Sequence, residues 1–113
     1  MVAQNRLLQA PPFQVEQALT HLGKNLRIAR VRRKLTVQEA ADKIGTGPRA
    51  VMDAEKGKPS TSVSVYVALL WAYDLLAPVG ELADPDTDEQ GLALVSHKEV
   101  QRVRKSKRLS GDF

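Results

Sequence analysis

At 113 residues the chain has room for one compact domain with tails, and too little for two comfortable cores. Its 17 Lys and Arg against 13 Asp and Glu give a formal net charge of +4 and a sequence pI of about 9.6, a balance that favours polyanionic partners without bearing on fold. The absence of cysteine excludes disulfides, thiolate zinc sites and a cysteine nucleophile, and no window approaches the roughly 18 consecutive apolar residues of a membrane span.

The charges are unevenly placed. Lys24, Arg27, Arg30, Arg32, Arg33 and Lys34 follow one another with no acid among them, and a second basic block runs from Lys98 to Arg108. Between these blocks lie Glu81, Asp84, Asp86, Asp88 and Glu89. Any one block is explained by a solvated face; two basic blocks flanking a recognisable motif point toward nucleic acid.

Residues 1–12 form an arm, polar and ending in Ala10-Pro11-Pro12, which cannot extend a helix backwards. The opening Met1-Val2-Ala3-Gln4-Asn5-Arg6 carries one basic residue and no apolar signal core, so a cytoplasmic protein is the expectation. From Phe13 the pattern turns helical, with Leu19, Leu22, Leu26 and Ala29 at three- and four-residue spacing, to an end near Lys34. Thr36 and Glu39 have the spacing of a capping box and open a helix over about Val37 to Ile44, with Ala40, Ala41 and Ile44 inward. Gly45-Thr46-Gly47 makes a tight turn, and Pro48 suits the first turn of the next helix, which runs to about Lys56 with Val51 and Ala54 inward and Gly57 closing it.

After the connector Lys58-Pro59-Ser60-Thr61, a helix spans about Ser62 to Leu75. Its Val63-Ser64-Val65-Tyr66-Val67 start is also compatible with a strand, but the apolar run through Leu70-Trp71-Ala72-Tyr73 is longer than most strands. Val63, Val67 and Leu70 are expected to line the core. Tyr66, Leu69, Trp71 and Tyr73 then form an apolar surplus of the kind that marks a dimer or partner surface, with crowded core packing as the alternative. A short helix over Pro78 to Ala83 precedes Asp84-Pro85-Asp86-Thr87-Asp88, which has turn or linker composition. Gly91 to Val95 form a short helix or strand, and Ser96 to Phe113 a mobile basic tail. The domain plan is thus an arm over 1–12, a helical domain over 13–83 and an acidic linker with basic tail over 84–113.

Two short helices joined by a Gly-containing turn have the form of a helix-turn-helix, in which the second helix presents its N-terminal side chains to the major groove. The string Leu22-Gly23-Lys24-Asn25-Leu26-Arg27-Ile28-Ala29-Arg30, Leu35-Thr36, Ala40-Ala41, Ile44-Gly45, Val51 and Glu55-Lys56-Gly57-Lys58-Pro59 resembles the Cro and lambda-repressor-like, or Xre-type, regulators over about residues 19–75. That resemblance implies an all-α bundle of four to five helices and a structural salt bridge between Arg30 and Glu55. It places base reading on Gly47, Pro48, Arg49, Met52 and Asp53. Arg49 is the main candidate, because Arg donates bidentately to guanine; Asp53 either accepts from a cytosine amine or orients Arg49, and the second role is preferred because an acid near phosphates is repelled. This sequence departs from the family at Val37, where a phosphate-binding Gln is common, with Gln38 one residue later, and at Pro48. Phosphate contacts are accordingly expected from Gln38, Thr46, Lys56, Lys58 and Ser60.

Glu55-Lys56-Gly57-Lys58-Pro59, the Tyr66-to-Tyr73 run and Asp84 to Leu94 are similar to HipB-like antitoxins. That similarity implies a homodimer that represses its own operon on double-stranded DNA and binds a HipA-like kinase toxin. The alternative keeps the helical domain as a protein-interaction or RNA-associated adaptor. No enzyme is expected: His21 and His97 lack a second ligand at metal spacing, no Gly-x-Ser-x-Gly elbow or Gly-rich phosphate loop occurs, and the acids of 84–89 lack the pattern of a calcium loop. Neither a metal nor a cofactor is expected.

Overall fold

A computed structural model describes residues 5–97; of the mobile tail expected over Ser96 to Phe113, Ser96 and His97 are helical instead, and the rest lies outside the described residues. Among these residues every regular element is helical and there is no strand. The first helix, α1 (Arg6–Gln9), corrects the expected arm. Asn5 Oδ1 accepts the N–H groups of Leu7 at 3.1 Å and Leu8 at 3.4 Å, so the polar residue read as part of an arm is an N-cap. The turn stops at Ala10, before Pro11-Pro12.

The long helix α2 (Phe13–Arg32) buries Gly23, Leu26 and Ala29 along one stripe, with Leu19 and Leu22 half-buried beside them. In α3 (Val37–Ile44) the capping box is complete. Thr36 Oγ1 accepts the Glu39 N–H at 3.0 Å, and Glu39 Oε1 accepts the Thr36 N–H at 2.9 Å. The backbone N–H of Thr36, with help from its hydroxyl, holds the Glu39 carboxyl below the usual carboxylate range. Gly45 ends α3 in the left-handed region at φ +78°, a conformation that side chains disfavour. α4 (Pro48–Glu55) starts with Pro48 after Gly47 and leads into Gly57 at φ +70°.

Ser62 Oγ caps α5 (Val63–Ala72) by accepting the Ser64 N–H at 3.1 Å, and the locally β-prone Val63–Val67 segment is helical throughout. The helix ends earlier than expected, just before the left-handed Asp74 at φ 60°. A 3-10 turn over Ala77–Glu81 replaces the expected α-helix from Pro78 to Ala83.

The core unites Leu26 and Ala29 of α2, Ala40 and Ala41 of α3, Val51 and Ala54 of α4, and Tyr66, Leu69 and Tyr73 from the α5 segment. α4 lies against α2, α3 and α5, so the shortest apolar side chains sit at its crossings. The crossing with α2 is tight at Gly23, where a Cβ would stand 2.6 Å from the Glu55 carbonyl oxygen and 2.7 Å from that of Ala54.

The inward face of α5 differs from the expected one. Tyr66, Leu69 and Tyr73, expected on a dimer or partner surface, are buried in the core, whereas Val63, expected inside, is 72% exposed. Val67 and Leu70 are half-buried, and of the expected surface quartet only Trp71 is open, at 56%. The two tyrosines win because a phenol fills more of the core than a valine and because Tyr66 can satisfy its hydroxyl there, donating to the Lys58 carbonyl at 2.9 Å.

The described residues fall into two compact units, one up to Val79 and one from Gly80. In the second, the Asp86 N–H donates to Asp84 Oδ1 at 2.9 Å, closing a turn over the acidic stretch. Residues 89–97 are helical, and Asp88 Oδ1 accepts the Gly91 N–H at 3.0 Å near its start.

Candidate nucleic-acid interface

Two short helices, α3 and α4, are joined by Gly45-Thr46-Gly47. The turn is closed by the Thr46 N–H donating to the Ala41 carbonyl at 2.9 Å. The far end of α4 is clamped to α2. Arg30 Nε donates to Glu55 Oε2 at 2.6 Å and Nη2 to Oε1 at 3.0 Å, while Nη1 donates to the Leu35 carbonyl at 2.9 Å. The Glu55 hydrogen bond raises the Arg30 guanidinium above its ordinary value against the opposing effect of burial. With both ends held, the outer face of α4 is presented on a rigid support.

On that face Gly47, Pro48, Arg49 and Met52 are exposed and Asp53 is partly covered. The Arg49 side chain is 77% exposed on the first turn of α4, and its Nε lies 3.4 Å from Asp53 Oδ1. The same oxygen lies 3.2 Å from Lys58 Nζ. Asp53 Oδ1 is itself shielded from solvent and makes no well-directed hydrogen bond, so these two cations are its compensation. Lys58 is fixed through its backbone as well: its N–H donates to the Asp53 carbonyl at 3.1 Å, and its carbonyl accepts from Tyr66 Oη at 2.9 Å.

The structure therefore gathers Arg49, Asp53 and Lys58 into one cluster. Lys56 and Ser60 are exposed in the segment following α4, and Thr46 is half-buried in the turn. Gln38 is exposed on α3 but its amide is engaged locally, donating to Asp42 Oδ1 at 2.8 Å.

The basic block over Lys24 to Lys34 is not one solvated face. Arg30 is committed to Glu55. Arg33 ties α2 to the end of α5, donating to the Ala29 carbonyl at 2.9 Å and the Tyr73 carbonyl at 2.8 Å, with its guanidinium 5.6 Å from the Tyr73 ring centroid. Arg33 stays exposed despite these contacts, as do Lys24, Arg27, Arg32 and Lys34. Sequence reasoning gave no hint of the Arg33–Tyr73 link, whose partners lie 40 residues apart. The Asp53–Lys58 pair did carry a signal, since Gly57 turns the chain back just where the Lys follows the Asp. Gly23 also carried one, as an isolated glycine inside a helical pattern.

Among the described residues no three His, Cys, Asp or Glu side chains come together as a metal site, and no helix is long and apolar enough to cross a membrane. Searches against protein-family models, curated proteins and solved structures returned no match for this chain.

Proposed function

We propose that the chain is a sequence-specific DNA-binding repressor of the lambda-repressor-like type, reading the major groove with α4 and acting as a homodimer. On the same reading it is the HipB-like antitoxin of an operon that it represses, with a HipA-like kinase toxin as partner. The observation that carries the DNA-reading step is Arg49, exposed on the first turn of a helix braced at its far end by Arg30 and Glu55. With Nε against Asp53, both Nη groups of Arg49 are left for the two acceptors of a guanine. Lys56, Lys58 and Ser60, at the close of α4 and after it, supply phosphate contacts that set register and not sequence. With Tyr66, Leu69 and Tyr73 inside the core, Trp71 is what remains of the expected apolar partner surface.

The test is fluorescence anisotropy of the full chain on its own upstream region against random DNA of equal length. Repressor function requires preference by orders of magnitude, about 10³-fold or more. Equal retention of both DNAs overturns it in favour of an adaptor that uses the exposed Trp71. For the antitoxin step, a kinase-like protein encoded beside this chain must co-purify with it.

A further inference from the structure

The Asp53 carboxylate stands on the face proposed to meet DNA, where a phosphate backbone repels it. Its Oδ1 is shared by Arg49 Nε at 3.4 Å and Lys58 Nζ at 3.2 Å, one cation from the first turn of α4 and one from the connector after it. The oxygen is shielded from solvent and has no other polar partner of good geometry. If both cations left for phosphates, a carboxylate with one solvent-shielded oxygen would face a polyanion uncompensated, and Coulombic repulsion disfavours that arrangement. Keeping one cation in place avoids it. Arg49 approaches Asp53 through Nε and carries two further Nη donors on a side chain that is 77% exposed; Lys58, with a single ammonium, either holds Asp53 or holds a phosphate.

We infer that Asp53 is a specificity-determining residue, a shared counter-ion that braces Arg49 for base reading and restrains Lys58 from phosphates on non-matching DNA. This rests on the reading of α4 as the DNA-facing helix. On random DNA the gain from a Lys58–phosphate contact is offset by breaking its contact with Asp53. On a matching site, Arg49 engaged with its base stays locked to Asp53 and compensates it, and Lys58 is free to move. Asp53 thus lowers affinity everywhere but lowers it most on the wrong sequence.

The experiment is anisotropy titration on the own upstream duplex and on random duplex, each over a range of salt, with wild type, Asp53→Asn, Lys58→Met and the double variant. Asp53→Asn should raise affinity for random DNA on the order of tenfold near 0.1 M salt, the worth of one added phosphate contact, and steepen the salt slope by about 0.9. The preference for the own region should shrink accordingly. In the Lys58→Met background the same substitution should leave the slope unchanged. Unaltered random-DNA affinity in Asp53→Asn, or equal weakening on both DNAs, overturns the inference. Lys58→Met offers a second arm that needs no change at Asp53. It should cost the own upstream duplex one phosphate contact and flatten its salt slope by about 0.9. The slope on random duplex should stay nearly unchanged because Lys58 stays with Asp53 there, and an equal change on both overturns the inference as well. Failure of the α4 reading is distinguishable, since wild type alone would then show no preference between the two DNAs, and the inference falls with it.

Discussion

Arg30 of α2 and Glu55 of α4 meet across 25 residues of sequence as a two-pronged ion pair, with donor–acceptor distances of 2.6 and 3.0 Å and side chains only 12% and 9% exposed. Paired donors and acceptors in one plane fix an orientation as well as a distance, which a single lysine contact would not. The pair therefore sets how the end of α4 is held against the long helix. Burial makes it sensitive to the loss of one partner, because the other is then left charged and uncompensated.

Glu55→Ala should accordingly destabilise the fold by about 3 kcal/mol, at the lower end for a buried pair. The double variant Arg30→Met with Glu55→Met should recover most of that loss, since neither charge is then stranded. Urea unfolding monitored by circular dichroism checks both. A loss below about 1 kcal/mol for Glu55→Ala would class the pair with ordinary surface bridges.

Gly23 and Gly45 should respond to alanine for different reasons. At Gly23 the new Cβ meets the carbonyl oxygens of Glu55 at 2.6 Å and Ala54 at 2.7 Å, backbone atoms that cannot swing aside. Overpacking should cost about 2–3 kcal/mol and outweigh the ~1 kcal/mol that Ala gains over Gly in a helix. Gly45 has open space around it but a φ of +78°, so Gly45→Ala should cost only about 1 kcal/mol through backbone conformation. Denaturation midpoints that rank Gly45→Ala as the more damaging would mean that the α2–α4 crossing has room for a methyl group.

The two tyrosines separate a satisfied buried hydroxyl from an unsatisfied one. Tyr66 Oη donates to the Lys58 carbonyl at 2.9 Å, while Tyr73 Oη is buried with no hydrogen-bond partner. Tyr66→Phe should cost about 1 kcal/mol, and Tyr73→Phe should be neutral or stabilising. Both phenols are pushed above their ordinary value, chiefly by burial. Their contribution to stability is therefore complete below the unfolded value of about 10 and is lost as pH rises through the raised folded values. Because these are the 2 tyrosines of the chain, tyrosinate absorbance reports them alone, and it should lag behind that of a free tyrosine until the protein unfolds. Coincident titration with free tyrosine would contradict their burial.

On DNA, Arg49→Ala should relax discrimination at one base pair by about 1–3 kcal/mol, whereas Lys56→Ala should weaken all sequences nearly alike. Titrations against single-base-pair variants of the upstream site measure both effects. If the two substitutions produce the same uniform loss, Arg49 is a phosphate contact and base reading lies elsewhere.

Elements whose ends are set by local chemistry were legible in the sequence. Thr36 and Glu39 exchange hydrogen bonds within one turn, Gly45 takes a left-handed φ, and Pro48 suits a first helical turn, so the bounds of α3 and α4 follow from residues next to them in the chain. Asn5 carries the same kind of signal for α1, a weak one in a short segment that ends in prolines. The candidate site was legible in part. Arg49 and Asp53 stand one helical turn apart, a spacing visible in the sequence, whereas the third member, Lys58, enters only because the chain turns at Gly57.

By itself, then, the sequence determined the limits of the two short central helices, because capping and turn formation are decided by neighbours along the backbone. Tertiary structure alone decided which face of α5 turns inward, since that helix is apolar on every side and periodicity carries no direction there. It also withdrew Arg30 from a uniform basic face, tied the exposed Arg33 to Tyr73 and brought Lys58 to Asp53. In each case the deciding term is the packing or charge of a partner distant in sequence or beyond a turn, met only when the helices close on one another.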